Sequence, residues 1–340
     1  MKNIISYFSI CLLFLASCVS NETLSPGRTV EESDEIILNL STPTDAKTRA
    51  EEGYYLRYVA KIFQITTGTD FSANSMQRAD ILNNNDNPEE NKIVFKVDPN
   101  KKYVIFVFAD YIKDNFKKSD DSYPDHFYDT SANNGTITIK TTPGSNSDKL
   151  SAEFFNNDNY DCFNVYDTIH KTTLKKELNL KLTRAVAKVQ WKDNSENPGK
   201  IKNFKFSFFN VGKALFQPTN AIMGVKDWSN FTLEKSELRE IEDENIILFY
   251  YSFAKRQNVS PKQYLSAKFT ISIDENSNTK ELECSNIPVY NNVKTTISGL
   301  LIPQTIVENP DDEKKSEEGD VILDLSTAQD WDNDLNMEIE

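Results

Sequence analysis

The clearest chemistry in the sequence belongs to the thiol of Cys18 and to the residues before it. Lys2 is the only charged residue before Glu22, and a mostly apolar run extends from Ile4 to Ala16. A run of about thirteen residues is too short to span a bilayer, which takes roughly 20, but it suits the apolar core of a signal peptide. Small residues directly before a cysteine then predict that the signal is removed and that Cys18 is acylated.

The segment Leu15-Ala16-Ser17-Cys18 resembles the lipobox of bacterial lipoproteins, in which the thiol receives diacylglycerol and signal peptidase II cuts just before it. The resemblance predicts a lipoprotein signal peptide at residues 1–17. Since each buried CH₂ contributes roughly 0.8 kcal/mol, two or three acyl chains, palmitate among them, hold such a protein in its membrane. We therefore expect Cys18 to bind outer-membrane lipid and the protein to be exposed at the cell surface. An ordinary secretory signal with an incidental cysteine is the alternative.

The charge balance limits the partners that the chain can bind, and the cysteine count limits the disulfides that it can form. The chain has 52 Asp and Glu against 38 Lys and Arg, and loss of Lys2 with the signal takes the formal charge from −14 to −15. A field of this sign repels polynucleotides, so no nucleic-acid partner is expected. Cys11 leaves with the signal and Cys18 is acylated, which leaves Cys162 and Cys284 as the only thiols that could pair. Two thiols make no disulfide framework, and whether they pair stays open.

The other reactive side chains form no familiar catalytic or metal-binding pattern. His126 and His170 are the only histidines, and their polar surroundings predict surface positions. The sequence has no Cys/His metal spacing, no Gly-rich phosphate loop and no Gly-x-Ser-x-Gly elbow. Residues 330–334 imitate the start of a calcium loop, but Leu335 stands where glycine is needed. We expect no enzyme activity, no cofactor and no bound metal.

Side-chain alternation predicts β-strands along most of the chain. Three stretches place one apolar row on a single face: Phe204, Phe206 and Phe208; Leu265, Ala267, Phe269 and Ile271; and Leu178, Leu180 and Leu182. Residues 103–108 and 246–251 are apolar on both faces, which predicts central strands. The side chains that we expect in the core are Phe106, Phe108, Leu180, Phe206, Phe208, Phe249 and Phe269.

Turn-forming clusters separate these strands, and the only helix expected is a short one around residues 148–155. Many short strands between turns predict an all-β chain of sandwiches or barrels, and 340 residues are long for one core. The predicted organisation has five parts: a signal at 1–17, a tether with a strand at 18–49, one sandwich at 50–180, a second at 181–307, and an acidic linker with a C-terminal strand and tail at 308–340.

Four segments resemble the fimbrillins, the pilus subunits of Bacteroidota-type bacteria, and their relatives. The segments are TRAVAKV at 183–189, IPVYNNVKT at 287–295, YLRY at 55–58 and FVFAD at 106–110. The family fold is two transthyretin-like antiparallel β-sandwiches in tandem, which agrees with the strand pattern. The resemblance implies a structural or anchoring subunit of a surface fimbria-like polymer, with a role in cell adhesion and with other fimbrillin-type subunits as partners.

Two nine-residue segments near opposite ends of the chain are alike. Residues 34–42 read DEIILNLST and residues 319–327 read GDVILDLST, with five identical positions. Because side chains alternate with period 2, each copy presents one apolar row to one groove. The rows are Ile36, Leu38 and Leu40 in the first copy and Val321, Leu323 and Leu325 in the second. Chance similarity between two strands rich in Ile and Leu is the alternative.

A basic site, Lys47-Thr48-Arg49-Ala50, follows the first copy. The fimbrillin resemblance implies maturation by cleavage after an arginine in this region, here between Arg49 and Ala50. The N-terminal strand would then be lost, and a strand of a neighbouring subunit would fill its groove. Such strand addition takes its affinity from main-chain hydrogen bonds and its register from alternate side-chain pockets.

A second class of function stays open, that of a surface lipoprotein that does not polymerise and binds a glycan or a host protein. Tyr123, Tyr128 and Tyr160 lie in predicted loops, where aromatic rings could stack on sugars. The mature N-terminus and the oligomeric state separate the two classes.

Overall fold

The described part of the chain is nearly all β in a computed structural model. The structure describes residues 35–43, 52–67, 70–71, 73–84, 86–169, 177–194, 201–216, 221–222, 225–243, 245–255, 260–272, 279–299 and 324–329. Its strands are β1 Glu35–Ser41, β2 Tyr55–Thr67, β3 Asp70–Phe71, β4 Gln77–Leu82, β5 Lys92–Lys96, β6 Lys102–Ile112, β7 Tyr128–Asp129, β8 Thr136–Ile139, β9 Phe163–Ile169, β10 Glu177–Lys181, β11 Thr183–Arg184, β12 Val186–Asp193, β13 Asn203–Gly212, β14 Ala214–Phe216, β15 Ala221–Ile222, β16 Val225–Trp228, β17 Phe231–Glu234, β18 Ile246–Phe253, β19 Tyr264–Ser272, β20 Thr279–Pro288, β21 Val293–Gly299 and β22 Asp324–Gln329.

The helix expected around residues 148–155 is wrong. Within the described residues, helical turns are 3-10 segments of three residues each: Ala73–Ser75, Pro88–Glu90, Ala152–Phe154, Asp158–Tyr160 and Lys235–Glu237. The turn at Ala152–Phe154 ends at once, because Phe155 is extended and Asn156 takes a positive φ of 53°. This backbone path buries both Phe154 and Phe155.

The N-terminal half forms a sandwich of two sheets. Sheet A has the strand order β10-β1-β5, and sheet B has the order β11-β9-β6-β2-β3, with β4 also paired to β2. Strand β6 lies inside sheet B, which confirms the central strand predicted at residues 103–108. The facing side chains belong to one continuous apolar core: Ile36, Leu38, Leu40, Ile93 and Phe95 from sheet A, and Tyr58, Ala60, Ile62, Ile105 and Val107 from sheet B.

The C-terminal half forms a second sandwich. Sheet C has the order β18-β12-β21-β22, and sheet D has the order β16-β13-β19-β20, with β17 also paired to β13. Rings meet across its interior: the centroids of Trp191 and Phe269 are 4.8 Å apart, and those of Phe209 and Tyr250 are 4.7 Å apart. The described chain therefore confirms the predicted fold class of two tandem, mostly antiparallel β-sandwiches, in which β1–β10 and β12–β21 are parallel pairs.

The apolar row predicted on β13 is wrong at its last position. Phe204 and Phe206 are buried, but Phe208 is half-buried and its neighbour Phe209 takes the core position. A β-bulge between Phe206 and Phe208 shifts the register of β13 against β19. The extra residue of a bulge moves the following side chains to the opposite face. The other six side chains expected in the core are buried.

The second predicted central strand, residues 246–251, is also wrong in its position. Its strand β18 lies at the edge of sheet C, beside β12. Asn156 pairs with the free edge of β18: the Asn156 N–H donates to the Phe249 carbonyl (2.9 Å), and the Phe249 N–H donates to Asn156 Oδ1 (2.8 Å). One asparagine thus replaces a neighbouring strand at Phe249.

A fifth sheet joins the two halves. Its order is β15-β14-β8-β7, and β8 of the N-terminal half pairs antiparallel with β14 of the C-terminal half. The Ile139 N–H also donates to the Lys213 carbonyl (2.8 Å). We call it the shared sheet. The domain boundary expected near residue 180 stays a prediction; Thr183 and Arg184 still pair with β9 of sheet B.

Candidate functional site: the groove that holds the N-terminal strand

The two alike segments, residues 34–42 and 319–327, are here called the terminal repeat, and the first copy forms a central strand of sheet A. Strand β1 pairs antiparallel with β5, where Ile36 is opposite Phe95 and Leu38 is opposite Ile93. On its other side it pairs parallel with β10, where Leu38 is opposite Leu178 and Leu40 is opposite Leu180. Main-chain bonds extend the ladder past the strand, since the Leu40 N–H donates to the Asn91 carbonyl (2.9 Å) and the Leu182 N–H to the Ser41 carbonyl (2.8 Å).

One face of β1 is closed against the core. Ile36 and Leu38 have no exposed surface and Leu40 is 3% exposed, as expected for one apolar row in one groove. The walls of the groove are buried side chains of β5 and β10, and its floor is the inner face of sheet B. Burying one such side chain contributes about 1.5–3 kcal/mol, so the row of three is a large part of the free energy that holds β1.

The other face of β1 is polar except for Ile37 and is partly exposed. It carries Glu35, Ile37, Asn39 and Ser41, alternating with the buried row. The amide of Asn39 donates from Nδ2 to Asn179 Oδ1 across the parallel pair (2.9 Å). A slip of one residue would exchange the two faces, so the groove specifies the register of whatever strand fills it.

The first residues of the second copy lie outside the described residues. The structure describes this copy from Asp324 onward. Strand β22 is the edge strand of sheet C and pairs antiparallel with β21, with Leu325 opposite Ile297. Val321 and Leu323 lie outside the described residues, as do Cys18, Arg49, Ala50, His170, the 308–319 linker and the 330–334 acidic segment. Within the described residues, β22 has one neighbouring strand where β1 has two.

Sequence reasoning missed a buried charge network behind sheet B. Arg57 of β2 forms a bidentate pair with Asp110 of β6 (2.9 and 2.8 Å) and donates to Asp125 (2.9 Å). Burial lowers the pKa of Arg57, but the neighbouring carboxylates, Asp110 first, raise it by more. The net pKa lies above its ordinary value, so the guanidinium stays charged. The available signal was a charged residue inside each of two apolar strand motifs, YLRY and FVFAD. Such charge-assisted bidentate bonds fix the orientation of both partners.

Lys61 continues this network without a carboxylate in hydrogen-bond contact. Its Nζ donates to the carbonyls of Thr130 (2.6 Å) and Ala132 (2.7 Å), and its side chain is 1% exposed. Burial, and then the charge of Arg78, lower the pKa of Lys61 to about 8. The network therefore ties residues 123–132 to the outer face of sheet B.

Two of the quoted motifs, TRAVAKV and IPVYNNVKT, meet in space. Arg184 Nε donates to Asp161 Oδ2 (2.8 Å), and its Nη1 reaches Asn292 Oδ1 at 3.4 Å. Lys188 Nζ lies 2.8 Å from Asp158 Oδ1 and 3.7 Å from the ring centroid of Phe249. These motif residues are therefore packing and charge contacts around β11, β12 and the turn before β21.

This packing corrects the predictions for two loop tyrosines and for one surface histidine. Tyr128 and Tyr160 are buried, and their hydroxyls donate to the carbonyls of Tyr160 and Lys140, so neither ring can stack on a glycan. His126 is half-buried, with its ring centroid 4.5 Å from that of Phe127, and burial lowers its pKa. Ring contacts explain the burial: Tyr128 packs against Phe108 and Phe253, and Tyr160 packs against Phe154. Cys162 is buried, Cys284 is half-buried, and both are free thiols.

The described residues contain no helix long and apolar enough to cross a membrane. They also contain no group of three His, Cys, Asp or Glu side chains placed to hold a metal ion. The described residues form an all-β structure in which β1 fills a groove between β5 and β10, two strands that are distant in sequence.

The chain belongs to a protein family described as a family of unknown function (DUF6562), which it matches over residues 27–339. No curated protein matches its sequence.

Solved structures with a loose likeness are fimbrial and adhesion proteins. The tip fimbrial protein Mfa3 of Porphyromonas gingivalis is 12% identical, with a TM-score of 0.42 over 87% of this chain and 100% of that one. A protein assigned to cell adhesion from Bacteroides uniformis is 10% identical, with a TM-score of 0.42 over 87% and 97%. A fimbrial assembly protein of Parabacteroides distasonis is 11% identical, with a TM-score of 0.36 over 87% and 95%.

Proposed function

We propose that the chain is a lipid-anchored structural or anchoring subunit of a cell-surface, fimbria-like polymer that assembles by strand exchange at sheet A. The observation that supports this most is the position of β1, which is a central strand of sheet A rather than an edge strand. The proposed anchor, Cys18, precedes β1 in the chain, and the proposed cleavage site after Arg49 follows it.

A cut after Arg49 would change how β1 is held. Residues 42–54 are the only covalent link between β1 and β2. Once that link is broken, the fragment that carries the lipid is held by the ladders to β5 and β10 and by the buried row of Ile36, Leu38 and Leu40. Proteolysis would thus convert an internal strand into a noncovalently bound one that another strand can replace.

An empty groove would be a strong acceptor. Strands in a sheet lie about 4.8 Å apart, so loss of β1 would leave β5 and β10 separated by roughly 10 Å, too far to pair with each other. Their inward N–H and C=O groups would lack partners beside an apolar trough, and such edges pair with other chains. The second copy, Val321 to Thr327 of a neighbouring subunit, would present the same row of three apolar side chains.

Size-exclusion chromatography tests this proposal on the mature chain with Cys18→Ala, cut between residues 49 and 50. We expect the cut chain to form oligomers and the uncut Arg49→Ala chain to stay monomeric. Leu323→Asp together with Leu325→Asp should stop assembly and leave the far-UV circular dichroism of the monomer unchanged. Ser326→Asp, which adds a charge on the outer face of the same strand, is the control and should still assemble.

A cut chain that remains monomeric at high concentration would rule out strand exchange. It would leave the second class of function, a surface lipoprotein that does not polymerise, and would make the terminal repeat a chance similarity. The anchor is tested separately: the Cys18→Ala precursor should stay unprocessed or become soluble in cells, whereas full partition into detergent at the normal mature size would show that another group anchors the chain.

A further inference from the structure

The outer face of sheet A is basic where it meets the groove, although the chain as a whole carries a charge of −14. Cross-strand register places Lys92 opposite Asn39, Lys96 opposite Glu35, and Lys181 opposite Ser41. All three lysines are exposed. Glu177, opposite Ile37, is the one acid that β5 and β10 place on this face.

The two copies of the terminal repeat differ at the position that meets these lysines. Aligned residue by residue, Asn39 of the first copy corresponds to Asp324 of the second, whereas Glu35 corresponds to the equally acidic Asp320. A second copy of the strand in the register of β1 would therefore place the Asp324 carboxylate directly opposite Lys92, where the chain's own strand places a neutral amide.

We propose that this charge difference helps residues 320–326 of a second copy of the chain to replace β1 in the groove, with Lys92 as the residue that pairs with Asp324. The inference rests on strand exchange as the proposed function and adds to it a residue that determines which strand is preferred. Opposite charges directly across a strand pair stabilise it, and the Asn39 contact to Asn179 can be replaced, since an exposed amide can turn its NH₂ group to a carboxylate.

The contribution of the Lys92–Asp324 charge pair depends on how exposed the pair is to solvent. A cross-strand charge pair on a solvated face contributes about 0.2–1 kcal/mol, which corresponds to at most about a fivefold change in affinity. Salt screens it, because the Debye length falls from about 10 Å at 0.1 M to about 3 Å at 1 M ionic strength. The buried row supplies most of the affinity in both copies. Val321 lacks one methylene group of the buried Ile36, and the charge pair at Asp324 offsets part of that loss.

Displacement of β1 by peptides tests the inference. The mature chain with Cys18→Ala carries a specific protease site at residues 47–50, is cut there, and keeps a labelled N-terminal fragment. Peptide 319–327 is then compared with the same peptide carrying Asp324→Asn. We expect the Asp324 peptide to displace the fragment at about two- to fivefold lower concentration at 0.05 M salt. The two peptides should become equivalent at 1 M salt, and also in a Lys92→Gln chain.

Lys96→Gln is the matched control. Lys96 faces an acid in both copies, so this change should weaken both peptides equally and preserve their ratio. Equal displacement by the two peptides at low salt, or a ratio that Lys92→Gln leaves unchanged, would overturn the charge selection and leave strand exchange intact. If neither peptide displaces the fragment at any concentration, the proposed exchange itself is wrong.

Discussion

Phe208 and Phe209 are neighbours in β13 with different surroundings. Phe209 is buried against Tyr250 and Phe206, whereas Phe208 is half-buried beyond the bulge. Truncating a buried phenylalanine to alanine typically costs 3–5 kcal/mol. We expect a loss of about this size for Phe209→Ala and about 1 kcal/mol for Phe208→Ala, measured by urea unfolding. A larger loss at Phe208 would place the bulge elsewhere.

Side-chain alternation predicts which residues of a strand are buried only where the strand has no bulge. It was right for β19, whose row Leu265, Ala267, Phe269 and Ile271 is buried, and wrong for β13 after Phe206. A bulge depends on the neighbouring strand, and the local pattern does not contain that neighbour. The pairing of Arg57 with Asp110, 53 positions apart, was beyond local reasoning for the same cause.

The buried amine of Lys61 gives a pH prediction. Burial and Arg78 lower its pKa to about 8, while an unfolded lysine has a pKa of about 10.4. Between these values the unfolded state binds more protons, so the free energy of unfolding rises with pH through this window, by on the order of 3 kcal/mol from this group. Lys61→Met should lack that rise when both proteins are unfolded in urea from pH 7.5 to 10.5. Equal slopes would contradict the lowered pKa.

At the scale of elements, an apolar strand was mistaken for a central one because its cover comes from elsewhere in the chain. Among the described strands, β6 has neighbours on both sides but β18 has one, and Asn156 pairs with its other edge. The sequences of β6 and β18 look alike, because a strand is apolar on both faces whenever other parts of the chain pack on each face. The position of a strand in its sheet depends on connections that hydrophobic pattern does not record.

The edge contact at Asn156 can be tested by two substitutions. Asn156→Gly removes the acceptor of the Phe249 N–H and leaves a buried donor unpaired, a loss of about 1–3 kcal/mol. Asn156→Ala removes the same acceptor and also strains a backbone with φ of 53°, which adds about 1–2 kcal/mol. Thermal unfolding should therefore rank wild type above Gly and Gly above Ala. Equal stability of the two variants would show that the positive φ carries no cost.

At the scale of the whole molecule, the shared sheet links the two sandwiches. Strand β14 pairs with β8, and Leu215 in β14 is buried opposite Ile137. We expect one cooperative transition in calorimetry, because neither half can unfold without breaking this sheet. Leu215→Asp should separate the transition into two. Lys213→Ala, which removes only an ion pair with Asp148 beside the sheet, should keep one transition. Two transitions in the unaltered chain would mean that the sandwiches unfold independently.

The order in which a chain is synthesised gives the position of β1 a further consequence. Ribosomes make the N-terminus first, so β1 exists before either of its neighbours, and its contact from Asn39 to Asn179 spans 140 positions. Pairings between such distant segments form slowly, since a long loop must close before any contact stabilises it. Sheet A can close only after residues 177–181 have been made. Strand β1 is thus enclosed only after β2 to β9 have been made, and until then its apolar row remains open to other strands.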